Sequence, residues 1–221
     1  MFITFEGMEG CGKSTQAKRL VDHLKQLAIP VVLTLEPGGT RVGEAIRRVL
    51  LDSRNDNLST LAELLLYAAD RAQHMEEVIN PALEQGKWVV CDRFADATTV
   101  YQGYARGQDM TLIHTLREKT CSGLWPDITF LLDCPVDVGL KRAIRRNETL
   151  PEDGQDRFER EKRAFHEAVK QGYLTLAKKE QERFVVIDAT LTENEIEVQI
   201  FRHIKPFLPN PDKSAGTQIK P

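Results

Sequence analysis

The sequence lacks the features that mark secreted and membrane proteins. Its four cysteines are far apart, and they form neither a Cys-x-x-Cys pair nor a zinc-type spacing with histidine. No apolar run approaches the ~18 residues that a membrane helix needs. The first predicted strand begins at Phe2, which leaves no room for a signal peptide. We therefore expect a cytoplasmic protein in a reducing compartment, without a membrane partner.

The sequence also lacks internal repeats, low-complexity tracts and a large excess of charge of either sign. Its 30 basic and 33 acidic residues give a formal net charge of −3, so no overall field attracts nucleic acid and any anion site must be local. The 221 residues, 41% of them hydrophobic, suit one domain over residues 1–208. Residues 209–221 are rich in proline, lysine and small polar residues, which predicts a flexible tail.

What is present is a glycine-rich run near the N-terminus. Residues 7–14 fit the phosphate-binding pattern of glycine, four residues, glycine, lysine and serine or threonine, although so short a pattern can match by chance. A strand-like run precedes it and a helical apolar pattern follows, so backbone N–H groups and the helix dipole favour a phosphate there. Lys13 would reach the outer phosphates and Ser14 would bind Mg²⁺. The predicted nucleotide-binding residues of the loop are Gly7, Met8, Glu9, Gly10, Cys11, Gly12, Lys13, Ser14 and Thr15.

Short apolar runs alternate with helical patterns along the chain. The predicted strands begin at Phe2, Val31, Trp88, Ile128 and Phe184. Strands that are apolar throughout and separated by helices indicate a parallel sheet covered on both faces, so the predicted fold class is α/β, doubly wound. Ligands bind beyond the carboxyl ends of such strands, which makes the residues just after each strand the first candidates for a site.

Asp92 and Arg93 directly follow the third apolar run. An aspartate there can position Mg²⁺ or orient an acceptor phosphate, although it is equally an ordinary helix cap. Arg93 favours the functional interpretation, because a strand end with both signs of charge can hold a second phosphate as well as the metal. We predict catalytic roles for Lys13, Asp92 and Arg93, and metal binding by Ser14 and Asp92.

Two groups of polar and aromatic residues have helical spacing. Tyr67 and Arg71 are four residues apart, and Thr98, Tyr101 and Gln102 are three and four apart. A ring and a guanidinium on one helical face can stack on a base and donate hydrogen bonds to its edge. For Tyr67, ordinary core packing is the alternative, and spacing alone favours it.

The segment from Lys141 to Arg163, which we call the lid, breaks the α/β pattern. It holds eight basic and six acidic residues around Pro151, Asp153 and Gly154. These charges are consistent with a solvated helical hairpin. Beside a phosphate loop they favour a mobile lid, since phosphoryl transfer needs cations that arrive with the substrate. We expect two charged helical pieces joined by a flexible turn.

The combined motifs resemble those of thymidylate kinase, occur in that family's order and cover roughly residues 1–208. They are Phe5 to Gln16, Glu36 to Thr40, Ala69 to His74, Asp92 to Phe94, Tyr101 to Gly103 and Asp156 to Glu159. The loop alone is shared with a large superfamily, whereas the set is specific. The resemblance implies a P-loop kinase fold, transfer of the γ-phosphoryl of ATP to dTMP with Mg²⁺, and a homodimer.

The resemblance also implies roles for individual residues. Glu9 would face the sugar hydroxyl of dTMP, Arg93 would hold its phosphate, and Tyr101 would crowd the sugar 2′ position. Tyr67 would stack on thymine, and Arg71 would donate to a base carbonyl. The predicted substrate-binding residues are Glu9, Glu36, Pro37, Tyr67, Arg71, Arg93, Thr98, Tyr101 and Gln102.

In this family the catalytic arginine lies in the phosphate loop or in the lid. Gly10 stands where the first type carries arginine, so the resemblance implies the bacterial lid type. Arg157 is then the predicted catalytic arginine, supported by Arg145 and Arg146 as ATP-binding residues. Two departures from the family pattern concern dTMP contacts: Leu35 replaces a frequent arginine, and Ala97 replaces a common serine.

Two other functions remain open at this point. Another deoxynucleotide or deoxynucleoside kinase of the same fold would share the loop, although a nucleoside brings no phosphate for Arg93 to hold. A nucleotide-binding module without turnover would need neither Asp92 and Arg93 nor the lid arginines.

Overall fold

Five parallel strands form one sheet in the order β2-β3-β1-β4-β5, as the apolar runs predict. The computed structural model describes residues 1–149 and 156–209. The strands are β1 Phe2–Glu6, β2 Val31–Leu35, β3 Trp88–Asp92, β4 Ile128–Asp133 and β5 Phe184–Asp188. The α-helices are α1 Lys13–Gln26, α2 Arg41–Leu51, α3 Thr60–His74, α4 Asn80–Glu84, α5 Ala95–Thr98, α6 Met110–Cys121, α7 Val136–Thr149, α8 Arg163–Lys179 and α9 Glu193–Ile204. Met75–Ile79 and Thr99–Ala105 are π-helical, and Lys205–Phe207 is a 3₁₀ turn.

Helices cover both faces of the sheet, because successive strand residues point to opposite sides. On one face, Ile3 and Phe5 belong to a core that includes residues of α1, α8 and α9. On the other face, Phe2 and Val89 pack with residues of α4, α6 and the first π-helical segment. The predicted α/β architecture is therefore confirmed. In the described part of the chain, no helix is both long and apolar enough to span a membrane.

Four of the strands end in an acidic residue, which lies one position beyond the predicted apolar run. Glu6, Asp92, Asp133 and Asp188 are the last residues of β1, β3, β4 and β5. All the strands are parallel, and the register places Phe5 beside Asp92 and Asp133 beside Asp188. The carboxyl edge of the sheet is therefore polar, and the glycine-rich loop leaves β1 at this edge.

The lid differs from the sequence expectation. α7 already begins at Val136, and residues 156–162 form turns rather than a helix before α8 begins at Arg163. Arg157 and Phe158 point inward and are buried, which a solvated charged helix would not allow. The predicted turn around Pro151, Asp153 and Gly154 lies outside the described residues, and so does the predicted tail beyond Pro209.

Candidate active site

The glycine-rich loop joins β1 to α1 with an exposed helix start. Gly12 caps α1 with a φ of 94°, a left-handed conformation that favours glycine. Gly12, Ser14 and Thr15 are exposed, so the helix N-terminus is accessible to an anion. The Lys13 ammonium donates to the Met8 carbonyl at 2.8 Å. The loop thus has the form that phosphate binding needs.

The same loop packs closely against α7. Gly10 has a φ of 69°, and a Cβ built on it would overlap the carbonyl oxygen of Gly139 in α7. A Cβ on Gly139 would in turn lie 2.6 Å from the Glu9 carbonyl. Backbone therefore meets backbone here, and position 10 has no space for a side chain.

A cavity of about 510 Å³ lies between the loop, the strand ends and the lid, a volume in the range of small-molecule sites. The predicted site residues on its wall are Glu9, Gly10, Lys13, Ser14, Glu36, Pro37, Tyr67, Arg71, Asp92, Arg93, Thr98, Tyr101, Gln102 and Arg146. The predicted site residues outside the wall are Gly7, Met8, Cys11, Gly12, Thr15, Arg145 and Arg157. Five of those seven belong to the loop itself. The other two, Arg145 and Arg157, are lid arginines that lie outside both the loop and the cavity wall.

Ser14 and Asp92 meet at the mouth of the loop. The Ser14 hydroxyl donates a hydrogen bond to Oδ2 of Asp92. Hydroxyl and carboxylate oxygens are ligands that Mg²⁺ accepts, so the two residues fit this ion. Across residues 1–149 and 156–209, no group of three or more His, Cys, Asp or Glu side chains could hold a metal. A magnesium ion at Ser14 and Asp92 would therefore take further ligands from phosphate and water.

Arg93 lies at the centre of a buried polar cluster. Its guanidinium donates to the Gly7 carbonyl and to Oε1 of Glu9, both at 3.0 Å, and lies 4.9 Å from the centre of the Tyr101 ring. The Tyr101 hydroxyl donates to the same Glu9 oxygen at 2.5 Å. Arg93 has a φ of 70°, which is uncommon outside glycine and is stabilised by these contacts.

Glu9 is buried and nevertheless ionised. Burial by itself raises its pKa, but His166 and the cations Arg93 and Lys13 lower the pKa to about 2. His166 is fully buried in α8, and its Nδ1 lies 3.6 Å from Oε2 of Glu9. Sequence reasoning missed His166, because nothing near it in the chain indicates a site.

Glu6 and Tyr173 support the same cluster. Tyr173 was also missed, whereas Glu6 was among the first candidates at the end of the first strand but was given no role. The Tyr173 hydroxyl donates to Oε2 of Glu6 at 2.7 Å, and the Phe94 N–H donates to Oε1 at 2.8 Å. Burial and the neighbouring Asp96 raise the pKa of Glu6 to about 7. The Tyr173 hydroxyl also accepts from Arg93 at 3.3 Å. A carboxylate that ends an apolar strand beside the loop was the available signal for Glu6.

Arg71 is fixed on the part of the cavity wall that α3 forms. Its Nε donates to Oε2 of Glu36 at 2.9 Å, and NH2 donates to the Thr98 hydroxyl at 2.8 Å. Nδ1 of His74 lies 3.0 Å from the other Glu36 oxygen. Glu36 therefore orients Arg71. Tyr67, one helical turn before Arg71, is half-buried on the same wall.

The structure does not bring Arg157 to the cavity. Its NH2 donates to Oε2 of Glu63 at 2.6 Å, and its Nε donates to the Leu50 carbonyl at 2.5 Å. Glu63 is a fully buried carboxylate on α3, and such a group needs a cation beside it. In this structure the Arg157 guanidinium is therefore paired with Glu63, and its contact with the phosphates stays a prediction.

Arg146 is the predicted lid arginine that reaches the cavity wall. It lies in the last part of α7, and its NH2 is 3.2 Å from a Glu159 carboxylate oxygen. Its side chain is 55% exposed. Asn147, Glu159 and Arg160 line the same side of the cavity. The lid therefore contributes a cation to the wall through α7.

Comparison with known proteins identifies a family. Residues 5–200 match the family model described as thymidylate kinase. Curated thymidylate kinases from Desulfosudis oleivorans and Trichlorobacter lovleyi are 58% and 53% identical to this chain. Each alignment covers 86% of this chain, and 89% and 90% of the two relatives respectively.

A solved structure has the same fold. The crystal structure of thymidylate kinase from Ehrlichia chaffeensis matches with a TM-score of 0.74 at 34% identity. The match covers 93% of this chain and 98% of the other.

Proposed function

The chain belongs to the thymidylate kinase family and transfers the γ-phosphoryl of ATP to dTMP, and on this basis we propose how the cavity residues perform the transfer. The observation that carries the proposal is that Lys13 and Arg93 line one cavity from different elements, α1 and the turn after β3. Two cations on one cavity can hold two phosphates at once, as transfer between phosphates requires.

The loop would hold the ATP phosphates. Its backbone N–H groups and the start of α1 supply positive potential, and Lys13 would exchange the Met8 carbonyl for a phosphate oxygen. Ser14 and Asp92 would hold Mg²⁺, which supplies charge neutralisation on the phosphate oxygens when bound.

The remaining walls would bind dTMP. Arg93 would contact the acceptor phosphate, and Glu9 would accept from the sugar hydroxyl beside Tyr101. Tyr67 would stack on the base, with Arg71 donating to its edge. These contacts would align the two phosphates for direct displacement.

The transfer needs little acid or base chemistry, because the dTMP phosphate is already a nucleophile. Positioning and charge neutralisation therefore provide most of the rate enhancement. We propose Arg146 as the lid cation at the transferred phosphoryl, since it lines the cavity with Lys13 and Arg93. Movement of residues 141–163 over the bound nucleotides would exclude water.

We also propose a homodimer and a cytoplasmic location. α2 exposes Val42 and Val49, and the adjacent α3 exposes Leu61 and Leu65, each between 43% and 47%. A second copy of the chain would cover this apolar surface. The four buried free cysteines suit a reducing compartment.

A coupled ADP-release assay across dTMP, dUMP, dCMP, dGMP and thymidine tests the acceptor. The expected result is the highest kcat/KM with dTMP. The methyl group separates dTMP from dUMP by about 1 to 3 kcal/mol, so dUMP is the nearest competitor. Turnover of thymidine without turnover of dTMP would overturn the proposed acceptor.

A further inference from the structure

Glu63 is the centre of a buried charged cluster behind the cavity, which we call the Glu63 cluster and define as Glu63, Gln102, Arg106 and Arg157. Gln102 donates to Oε1 of Glu63 at 2.9 Å, and Arg157 donates to Oε2 at 2.6 Å. Arg106 lies 3.3 and 3.4 Å from the two oxygens. The Glu63 side chain is only 1% exposed.

The cluster joins three elements that form the cavity wall. Glu63 lies on α3 one turn before Tyr67, Gln102 belongs to the second π-helical segment beside Tyr101, and Arg157 belongs to the lid. Arg106 is also paired with Glu161 at 2.6 Å. Residues 156–161 are therefore attached to the body of the protein at both ends, by Arg157 and by Glu161.

The attached segment presents side chains to the cavity and to α7. Phe158 is buried on the cavity wall, with its ring 5.6 Å from the Tyr101 ring in an edge contact. Glu159, the next residue, lies 3.2 Å from the Arg146 guanidinium. A continuous series of contacts thus leads from Glu63 through Arg157 and Glu159 to Arg146.

We propose that Arg157 is a positioning residue that acts through Glu63, holding the 156–161 segment so that Glu159 orients Arg146 over the transferred phosphoryl. The proposal rests on the proposed role of Arg146. An arginine that contacted the phosphate itself could not at the same time keep both of its contacts to Glu63 and Leu50. Loss of Arg157 would leave both nucleotide sites in place and misplace the lid cation.

The test compares Arg146→Ala in two backgrounds of the full-length chain. In the unmodified chain we expect kcat to fall about 10³-fold, the lower end for a cation of this kind. In the Arg157→Met background we expect the same change to cost less than about tenfold, because Arg146 is already misplaced. Binding of ATP and of dTMP, measured by calorimetry, should change by less than about threefold in Arg157→Met.

A second double-mutant cycle tests whether Arg157 acts through Glu63. Glu63→Gln and Arg157→Met should each lower kcat, and the double variant should be no slower than the slower single variant, within about threefold. The double variant removes one charge of each sign, so it replaces Arg157→Met as the background if that variant does not fold. Arg19→Met is the matched control, since its ion pairs with Glu193 and Glu197 join α1 to α9 away from the cavity wall, and its kcat should be unchanged.

The outcomes separate the two proposals. Multiplicative losses in both cycles would overturn the positioning role and assign Arg157 an independent contact. An unchanged kcat for Arg146→Ala in the unmodified chain would instead overturn the role of Arg146, and the Glu63 and Arg157 cycle would still decide whether those two residues act together.

Discussion

Nδ1 of His166 lies 3.6 Å from Oε2 of Glu9, and among the described residues neither atom has a hydrogen-bond partner. The distance exceeds a hydrogen bond, so a small shift of the Glu9 carboxylate toward α8 would form one. Arg93 and Tyr101 hold the other Glu9 oxygen. Glu9 therefore lies between two sets of partners, and its orientation depends on both.

Glu9→Gln should lower kcat/KM for dTMP about ten- to a hundredfold, since a hydrogen bond to a charged group contributes about 1.5 to 3 kcal/mol. The loss should be much smaller with 3′-deoxy-dTMP, which lacks the hydroxyl that Glu9 would accept from. His166→Leu should likewise lower kcat/KM more for dTMP than for 3′-deoxy-dTMP. His23→Leu is the control, because His23 stacks on Phe201 at 4.0 Å and does not line the cavity. Equal losses on both substrates would contradict the sugar contact.

Asp92→Asn should raise the Mg²⁺ concentration needed for half-maximal rate, because an amide is a weaker ligand for a hard cation than a carboxylate. The KM for dTMP should change little. Asp133→Asn is the matched control, since Asp133 also ends a strand but pairs with Lys170. The measurement is the initial rate over a Mg²⁺ titration at saturating ATP. The same shift in both variants would argue against a metal at Asp92.

Stability should fall as pH rises from about 4.5 toward 7, because burial raises the pKa of Glu6 from 4.5 to about 7. In that range the folded chain keeps a proton on Glu6 that the unfolded chain has released, so the stabilising contribution is lost as pH increases. The expected change is up to about 3 kcal/mol, at about 1.4 kcal/mol per pKa unit. Asp70, whose pKa burial raises to about 6, acts in the same direction.

Urea unfolding at a series of pH values measures this effect. Glu6→Gln should flatten the pH dependence that belongs to Glu6 and leave the part that belongs to Asp70. If the free energy of unfolding of Glu6→Gln depended on pH as steeply as that of the unmodified chain, Glu6 would not carry this proton in the folded state.

Leu65→Asp should convert the proposed dimer to monomer, because it places a charge in the apolar surface formed by α2 and α3. Sedimentation equilibrium gives the oligomeric state directly. Val198→Asp on α9 is the control, since Val198 is 59% exposed and lies outside that surface. A monomer in the unmodified chain, or a dimer in Leu65→Asp, would refute the proposed interface.

Much of the fold was predictable because the strands are apolar on both faces. The runs at Phe2, Val31, Trp88, Ile128 and Phe184 all became strands. Each strand continues one or two residues beyond the predicted run, and in four of them the last residue is acidic. A polar residue at a strand end is indistinguishable in sequence from the first residue of a loop.

Whether a site residue could be predicted depends on how far away in the chain its partners lie. Residues within one short motif were predictable as cavity residues: the loop and the Asp92 and Arg93 pair line or border the cavity. Tyr67 and Arg71 also line it, but for Tyr67 the spacing alone favoured core packing, and the family resemblance indicated the site. His166 and Arg157 depend on partners far away in the chain, Glu9 and Glu63. Their surroundings are decided by how α8 and the lid pack, which the spacing of charges does not encode.

The contact between Gly10 and Gly139 also bears on how this enzyme can change over evolution. An arginine at position 10 would push α7 away, and α7 carries Arg146 in its later turns. An arginine in the loop and the proposed lid cation Arg146 are therefore incompatible in this packing. A lineage could exchange one arrangement for the other only by remodelling the loop and α7 together.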